Sequence, residues 1–249
     1  MRILLLNPNT SAGITDRLAA AGRKVAAPGT TLIPVTAARG VPYISSRAEA
    51  QIGGMIALEM LADHHSKADA AIVAAFGDPG LFGARELFDI PVVGLAEAAM
   101  LTACMLGRRF AIVTFAAALT PWYEECVDMH GLNSRCAEVR ALSGPFASVA
   151  DVGDEKEEEL IELIKKTASE APADVLILGG APLAGFADRI KPRIPVPLVD
   201  PVQAAVKQAE ALVVLQSRKA EFGTFSRPPA KDTTGLTEAL ARRIGRRDS

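Results

Sequence analysis

The feature that most constrains the fold is an uncharged run at 70–76, Ala-Ala-Ile-Val-Ala-Ala-Phe, which ends abruptly in Gly77-Asp78-Pro79-Gly80. An apolar run of this length between turn residues is typical of a strand covered on both faces, and such strands belong to parallel α/β sheets. Ligands of these sheets bind beyond the carboxyl ends of the strands. A second stretch, 174–185, repeats the design with an acidic start, an apolar run and a loop of small residues. The two loops can then face each other across one cleft.

Strand and helix patterns alternate along the rest of the chain. Strands are predicted at 2–6, 31–35, 70–75, 91–94, 110–114 and 136–140, and helices at 14–25, 48–62, 81–88, 97–106, 122–130, 154–169, 202–217 and 235–244. This alternation indicates βαβ units around mostly parallel sheets. The segment from Arg108 repeats the start of the chain, with a basic residue, an apolar strand and a loop of small residues. The sequence therefore indicates two similar halves.

The composition favours a protein that acts on small molecules. The 27 basic and 29 acidic side chains nearly balance, so neither a nucleic-acid partner nor a membrane partner is predicted. The three cysteines form no C-x-x-C pair, which fits a reducing compartment, and we expect the protein in the cytoplasm. The apolar run at 3–6 is too short for a signal segment or a membrane span. Apolar helices and a proline-rich connector at 226–230 leave room for a homo-oligomer contact.

No cofactor or metal motif is recognisable in the sequence. Neither the G-x-G-x-x-G nor the G-x-x-x-x-G-K-[ST] pattern of nucleotide-binding loops occurs. The three histidines, His64, His65 and His130, have no partner at the spacing of a zinc motif. We therefore predict no cofactor and no bound metal, and we expect the histidines to have surface or structural roles.

Several residue types at predicted loop ends suit the binding of an anionic oxygen. Glycines in the two loops allow backbone N–H groups to approach a ligand closely. Asp78 suits either an acid–base role or a turn that accepts backbone N–H bonds. Arg47 either pairs with a substrate carboxylate or pairs with Glu49 and solvent. Cys104 falls inside a predicted helix, where a thiol is more often a small buried apolar group than a nucleophile.

Five segments resemble the Asp/Glu/hydantoin racemase superfamily. They are Asn7–Ser11, Phe76–Leu81, Pro91–Ala98, Phe110–Thr114 and Leu178–Gly185, and they follow the order of the superfamily between residue 2 and about residue 217. The resemblance implies two flavodoxin-like α/β halves with parallel sheets and an active site between them. We expect residues 1–100 and about 205–249 to form the first half, and residues from about 101 to 204 to form the second.

The resemblance also exposes a departure at the expected active site. Hydantoin and allantoin racemases of this superfamily move a proton with two cysteines on opposite sides of the cleft. By motif the first cysteine would stand where this chain has Ala75, and the second where it has Gly180. Neither residue can transfer a proton, and loss of one base lowers such a rate by roughly 10²–10⁴. Two-cysteine racemisation is therefore doubtful for this chain.

The sequence thus predicts a racemase-like enzyme for a small hydantoin-like or amino-acid-derived carboxylate, bound in an oxyanion-stabilising cleft. The residues predicted to bind substrate are Asn9, Thr10, Ser45, Arg47, Ala75, Phe76, Gly77, Thr114, Phe115, Gly180 and Ala181. The candidates for a catalytic acid or base are Asp78, Glu97, Tyr43 and Cys104. Two alternatives stay open: a hydrolase or desulfhydrase acting on a hydantoin or thiohydantoin carboxylate, and a non-catalytic protein that binds small acids.

Overall fold

All strand pairs of the protein are parallel, in agreement with the predicted βαβ pattern. A computed structural model describes residues 1–247. The strands are β1 (Arg2–Asn7), β2 (Thr31–Thr36), β3 (Ala70–Val73), β4 (Val92–Gly94), β5 (Phe110–Thr114), β6 (Cys136–Ala141), β7 (Val175–Gly179) and β8 (Leu198–Val199). The helices are α1 (Ala12–Arg23), α2 (Arg47–His64), α3 (Leu81–Leu87), α4 (Leu95–Leu106), α5 (Thr120–Met129), α6 (Val152–Glu155), α7 (Glu157–Glu170), α8 (Phe186–Ile190), α9 (Pro201–Val214) and α10 (Glu238–Ile244).

The strands form two four-stranded sheets of the same topology. The first sheet has the order β2-β1-β3-β4 and the second has the order β6-β5-β7-β8. Every neighbouring pair in both sheets is parallel. The α/β class and the two parallel sheets predicted from the sequence are confirmed. Equal strand order in the two halves is also what an internal duplication produces.

The central strands are buried because helices cover both faces of each sheet. Every residue of β3 and of β7 is buried. One face of the first sheet packs on α2 and α3 through a small cluster that includes Leu4, Leu61 and Leu81. The opposite face joins a larger core that continues into the second sheet. The halves therefore share one apolar core, and α4 and α9 pack together at their junction.

Several predicted boundaries differ from the structure for local physical reasons. The predicted strand 70–75 ends at Val73, because the chain then bends into the loop that carries Ala75 and Phe76. The single helix predicted at 154–169 was wrong: α6 and α7 are separate, and Lys156 between them has the non-helical angles φ −115° and ψ 25°. α1 begins earlier than predicted because the Ser11 hydroxyl caps it by accepting the Ile14 N–H. The short α8 and the two-residue β8 carry too little pattern to be predicted.

The C-terminal helices support the proposed division of the chain without establishing it. α10 packs on α2, and α9 packs on α4, α1 and β3. We keep the assignment of 205–249 to the first half as a proposal, and its last two positions, 248 and 249, lie outside the described residues. Homo-oligomerisation likewise stays a prediction. The apolar side chains that it requires are exposed on α4 and at the end of α9, at Leu101, Met105, Leu106, Val214 and Leu215.

Within residues 1–247, no helix combines the length and apolar character needed to span a bilayer.

Replacement of Asp200 by alanine is expected to destabilise the fold. Asp200 is buried and caps α9 by accepting the N–H groups of Val202 (3.1 Å) and Gln203 (3.2 Å), and it also accepts the Gly185 N–H at 2.5 Å. We expect Asp200→Ala to lower the free energy of unfolding by about 2 kcal/mol, because a cap is lost and a buried N–H is left unpaired. Urea denaturation measures the difference. Asp232→Ala serves as a control, since the Asp232 side chain is 90% exposed; equal stability of the two variants would contradict the prediction.

Candidate active site

A small cavity lies where the carboxyl ends of the central strands of both sheets meet. The loops after β1, β3 and β7, the loop before α2 and the first turn of α5 form its walls. The lining residues are Asn9, Ile14, Tyr43, Ile44, Ala75, Phe76, Trp122, Tyr123, Gly180, Ala181 and Pro182. Its volume is about 20 Å³, which is room for about one water molecule. The walls must therefore separate before a ring-sized ligand can enter.

The structure brings together most of the residues that the sequence predicts to bind substrate. Five of them line the cavity: Asn9, Ala75, Phe76, Gly180 and Ala181. Three more lie directly behind these: Phe115 packs against Tyr43 with ring centroids 5.9 Å apart, Gly77 lies against the Trp122 ring, and Thr114 pairs with Gly179 in the second sheet.

Three other predicted binding residues have partners outside the cavity. The Thr10 N–H donates to the Val41 carbonyl at 3.0 Å. The Ser45 N–H and hydroxyl both donate to Glu49 Oε2, at 2.6 and 2.9 Å. Arg47 makes an exposed bidentate ion pair with Glu125, at 2.6–2.8 Å, which joins the two halves. The alternative partner predicted for Arg47, Glu49, is thus engaged by Ser45 instead. A role of these three residues in binding stays a prediction.

Of the four acid–base candidates, only Tyr43 lines the cavity. Asp78 is buried and accepts the N–H groups of Ala96 (2.9 Å) and Glu97 (2.8 Å) at the start of α4, so these hydrogen bonds go to a distant helix and not to the turn predicted for it. The Glu97 carboxylate pairs with the Arg85 guanidinium through two hydrogen bonds. Cys104 is half-buried on α4, away from the lining residues. Catalytic roles for these three side chains stay predictions without support from their positions.

Sequence reasoning missed the aromatic character of the cavity. Trp122 and Tyr123, at the start of α5, both line it. The Phe76 and Tyr123 rings lie 4.7 Å apart and the Trp122 and Tyr123 rings 5.5 Å apart. The chain contains one tryptophan and two tyrosines, and all three line this one cavity. That concentration of rare aromatic residues is the signal in the sequence that could have found Trp122 and Tyr123.

One hydroxyl group of the cavity lining lacks the partner that buried hydroxyls normally have. Among residues 1–247, the Tyr43 hydroxyl is buried without a hydrogen bond, whereas the Thr114 hydroxyl, behind the lining, is the hydrogen-bond neighbour of the Tyr123 hydroxyl. A buried polar group left unpaired costs about 1–3 kcal/mol, so such groups call for a functional explanation. Asn9 is already held in place, since its Oδ1 accepts the Asn7 side-chain amide and the Ser11 N–H, each at 3.0 Å. Its amide nitrogen is the atom left to donate.

Both tyrosines of the cavity are held in the neutral form. Burial, followed by the nearby Glu49 charge, raises the pKa of Tyr43 well above its usual value. Burial likewise raises the pKa of Tyr123, and the neighbouring Tyr43 adds to the effect. A neutral phenol donates a hydrogen bond and is a poor base near neutral pH. The two phenols therefore suit the stabilisation of a developing negative charge on a ligand oxygen.

The two positions that the resemblance assigns to cysteines differ in the room that they leave for a side chain. Ala75 lines the cavity with its methyl group. Gly180 has φ +122°, and an ideal Cβ there would lie 2.7 Å from the Phe115 ring. A side chain at 180 therefore meets both a strained backbone and an occupied site. The Tyr123 hydroxyl lies 3.6 Å from that ideal Cβ position, so a phenol stands near the place where the second thiol would be expected.

Comparison with known proteins identifies the family to which this chain belongs. The family model described as Asp/Glu/Hydantoin racemase matches residues 3–209. The chain belongs to the Asp/Glu/hydantoin racemase family. A hydantoin racemase of Paenarthrobacter aurescens is 33% identical over 238 residues, which cover 93% of this chain and 99% of that protein. The family resemblance seen in the sequence is thus confirmed.

Solved structures of the family have the same fold. The allantoin racemase of Klebsiella pneumoniae superposes with a TM-score of 0.90 at 34% identity, covering 96% of this chain and 98% of that one. The allantoin racemase of Pseudomonas fluorescens gives a TM-score of 0.87 at 35% identity, covering 94% of this chain and 100% of that one. These racemase relatives support an isomerase-type enzyme with a small-molecule substrate.

Substitution at Gly180 is expected to be costly for stability. Gly180→Ala places a Cβ against Phe115 in a backbone conformation that favours glycine, so we expect a loss of about 1–3 kcal/mol. Thermal unfolding followed by circular dichroism measures the loss. Gly13→Ala is a matched control, because an ideal Cβ at Gly13 has no heavy atom within 4 Å and the site is helical. A Gly180→Ala protein as stable as the Gly13→Ala protein would contradict the geometry described here.

The two tyrosines are expected to resist ionisation while the protein is folded. Absorbance of the phenolate in an alkaline titration should stay near zero around pH 10 in the folded protein, whereas both tyrosines of the denatured chain should titrate there. Because the folded pKa is raised, the neutral phenols contribute stability that is fully present below about pH 10 and is lost as the pH rises further. Appearance of phenolate with a pKa near 10 in a protein that remains folded would contradict this prediction.

Proposed function

We propose that this family member acts on a small uncharged ring with a carbonyl group beside a stereocentre, and that Tyr43 and Tyr123 stabilise the negative charge that develops on the carbonyl oxygen. The observation that carries the proposal is the buried, unpartnered Tyr43 hydroxyl at the wall of a cavity shared by both halves. A ligand oxygen would supply the missing partner. Donors of this kind, fixed before the reaction in a dry site, are a large source of catalysis.

The lining favours a neutral ring over a free carboxylate. Within the described residues 1–247, the lining contains no charged side chain. An unpaired carboxylate in such a site is strongly disfavoured, because a buried charge needs a partner. A hydantoin or an allantoin, the substrates named for the relatives, carries carbonyl and N–H groups without a carboxylate. Such a ring matches phenol donors, the Asn9 amide and aromatic walls.

Proton transfer at the stereocentre then requires a base other than a thiol. Ala75 and Gly180 cannot accept a proton, and the two phenols are held neutral. We propose that water accepts the proton from the carbon beside the carbonyl while the phenols stabilise the resulting enolate oxygen. Protonation from the opposite face gives the other enantiomer. Loss of the thiol bases predicts a slower reaction than two-base racemisation, by roughly 10²–10⁴ for each base lost.

The proposal is tested by isotope exchange at the stereocentre in D₂O. Single enantiomers of 5-substituted hydantoins and of allantoin are incubated with the enzyme, and NMR follows exchange while polarimetry follows loss of optical rotation. Tyr43→Phe and Tyr123→Phe keep the ring and remove only the hydroxyl. We expect each to lower the exchange rate by roughly 10²–10³, the effect of removing one oxyanion donor, without a matching loss of thermal stability.

The same assays distinguish the alternatives. Release of ammonia or sulfide from a hydantoin or thiohydantoin carboxylate, without exchange, would replace the proposal by hydrolytic or eliminating chemistry, which the racemase relatives do not support. Stabilisation by these ligands without turnover of any of them would indicate a binding protein; a ligand at 100 times its dissociation constant adds about 2.7 kcal/mol. Exchange that is unaffected by both Tyr→Phe changes would remove the phenols from the mechanism.

Arg47 provides a separate test of substrate charge. Its guanidinium pairs with Glu125 outside the cavity, so the KM for a neutral hydantoin should be similar in wild type and Arg47→Met. Glu125→Gln, which removes the other partner of the ion pair, should behave in the same way. A tenfold or larger rise in KM for a carboxylated substrate, confined to the Arg47 variant, would instead assign the guanidinium to substrate binding and favour the carboxylate class.

A further inference from the structure

Behind the cavity, three side chains with metal-ligating atoms converge. One carboxylate oxygen of Asp78, the thiol of Cys126 and a ring nitrogen of His130 all lie within 4.8 Å of one another. Cys126 and His130 stand one helical turn apart at the end of α5, so their side chains project from the same face. Asp78 reaches them from the loop after β3, in the other half of the molecule.

The three groups are shielded from solvent. The side chains of Asp78 and His130 are 0% and 3% exposed, and Cys126 is buried. His130 Nε2 lies 3.1 Å from Asp78 Oδ2. Two ligands bound to one Zn²⁺ at about 2.0–2.1 Å in tetrahedral geometry lie roughly 3.3 Å apart. The spacing of the nitrogen and the oxygen is therefore already close to that of a shared ion.

Neighbouring groups orient these side chains as outer-sphere partners of a metal do. Glu97 Oε1 lies 3.6 Å from His130 Nδ1, on the far side of the imidazole ring. Glu97 is itself held by two hydrogen bonds from Arg85. Histidine ligands of metals typically have a carboxylate at the second ring nitrogen, which fixes the tautomer that presents the first nitrogen to the ion. The N–H groups of Ala96 and Glu97 fix the position of the Asp78 carboxylate.

We propose that Asp78, Cys126 and His130 form a binding site for a divalent cation of the zinc type. A thiolate, an imidazole and a carboxylate form the mixed ligand set that Zn²⁺ and Co²⁺ accept, whereas Mg²⁺ and Ca²⁺ prefer oxygen ligands alone. Three protein ligands leave a fourth position for water. Binding displaces the thiol proton of Cys126, and it requires the tautomer of His130 whose proton stands on Nδ1, toward Glu97, so that Nε2 is open to the ion.

An ion at this site joins the two halves directly behind the cavity. Asp78 is three residues beyond Ala75, and Cys126 follows Tyr123 by one helical turn, so the ligands belong to two elements that also form the cavity walls. The site does not depend on the proposed reaction, because none of its three ligands lines the cavity. Its effect is expected on stability and on the separation of the walls.

The experiment titrates the full-length protein, first freed of metal by a chelator and dialysis, with Co²⁺ and then with Zn²⁺. We expect one equivalent of Co²⁺ to bind with an absorption band from thiolate-to-cobalt charge transfer, Zn²⁺ to displace it, and the melting temperature to rise with either ion. Cys126→Ser should abolish the band. Cys104→Ser and Cys136→Ser are matched controls, because these are the other two thiols of the chain and lie outside the cluster; both should keep it.

Glu97→Gln tests the carboxylate next to His130 Nδ1. This change should weaken Co²⁺ binding by roughly 10- to 100-fold while leaving the absorption band in place at saturation. The wild-type titration decides the proposal even if a variant fails to fold. Absence of saturable binding of one equivalent by the wild-type protein overturns it. A band that survives Cys126→Ser and disappears in Cys104→Ser or Cys136→Ser overturns it as well.

Discussion

The buried carboxylate of Asp78 is the contact on which the geometry of the cavity depends. It accepts two N–H groups at the start of α4, where the helix dipole favours a negative charge, and its Oδ2 lies 3.1 Å from Nε2 of His130 in the second half. Gly94 makes this possible, since an ideal Cβ there would lie 2.3 Å from the Asp78 carboxyl carbon. One short side chain thus fixes the loop after β3, the first turn of α4 and the end of α5 relative to one another. Ala75 and Phe76 keep their positions at the cavity because this loop is fixed.

The cavity combines apolar walls with a few hydrogen-bond donors that have no partner. The walls stabilise the fold, and the donors are available to a ligand. Aromatic rings of both halves pack within 6 Å of one another, and their contacts compensate for hydroxyl groups that would otherwise destabilise the core. Among residues 1–247, the cavity lining carries no charged side chain, and Arg47 and Glu125 meet outside it, across the two halves. An exposed pair of this kind adds little stability and can open without much cost. The interior therefore offers apolar walls with a few hydrogen-bond donors, while the outer contact adds little to stability.

Much of the fold followed from the sequence because parallel sheets leave a simple pattern. The buried strands around Ile72 and Ile177 are continuous apolar runs followed by glycine loops, and these runs placed the cavity at the correct edge of both sheets. Asn9, Phe76 and Gly180 were found because they stand at strand ends. Trp122 and Tyr123 were missed because they lie on a helix, where aromatic residues are ambiguous until the partner surface is known. The pairing of Arg47 with Glu125 and of Glu97 with Arg85 depended on tertiary distances that sequence spacing does not encode.

The conformation of Gly180 has a consequence for how this family member can change over evolutionary time. At position 75 a single substitution adds a side chain to a backbone that already carries one. At position 180 the backbone has a φ of +122°, which residues with a side chain rarely adopt, and the Phe115 ring fills the space that a side chain needs. A cysteine there would require the backbone to turn and the ring to move in concert, and each of these changes alone would be harmful. The two positions therefore differ in what they can accept: a thiol at 75 needs only a new side chain, whereas a thiol at 180 needs the backbone and the Phe115 ring to move together.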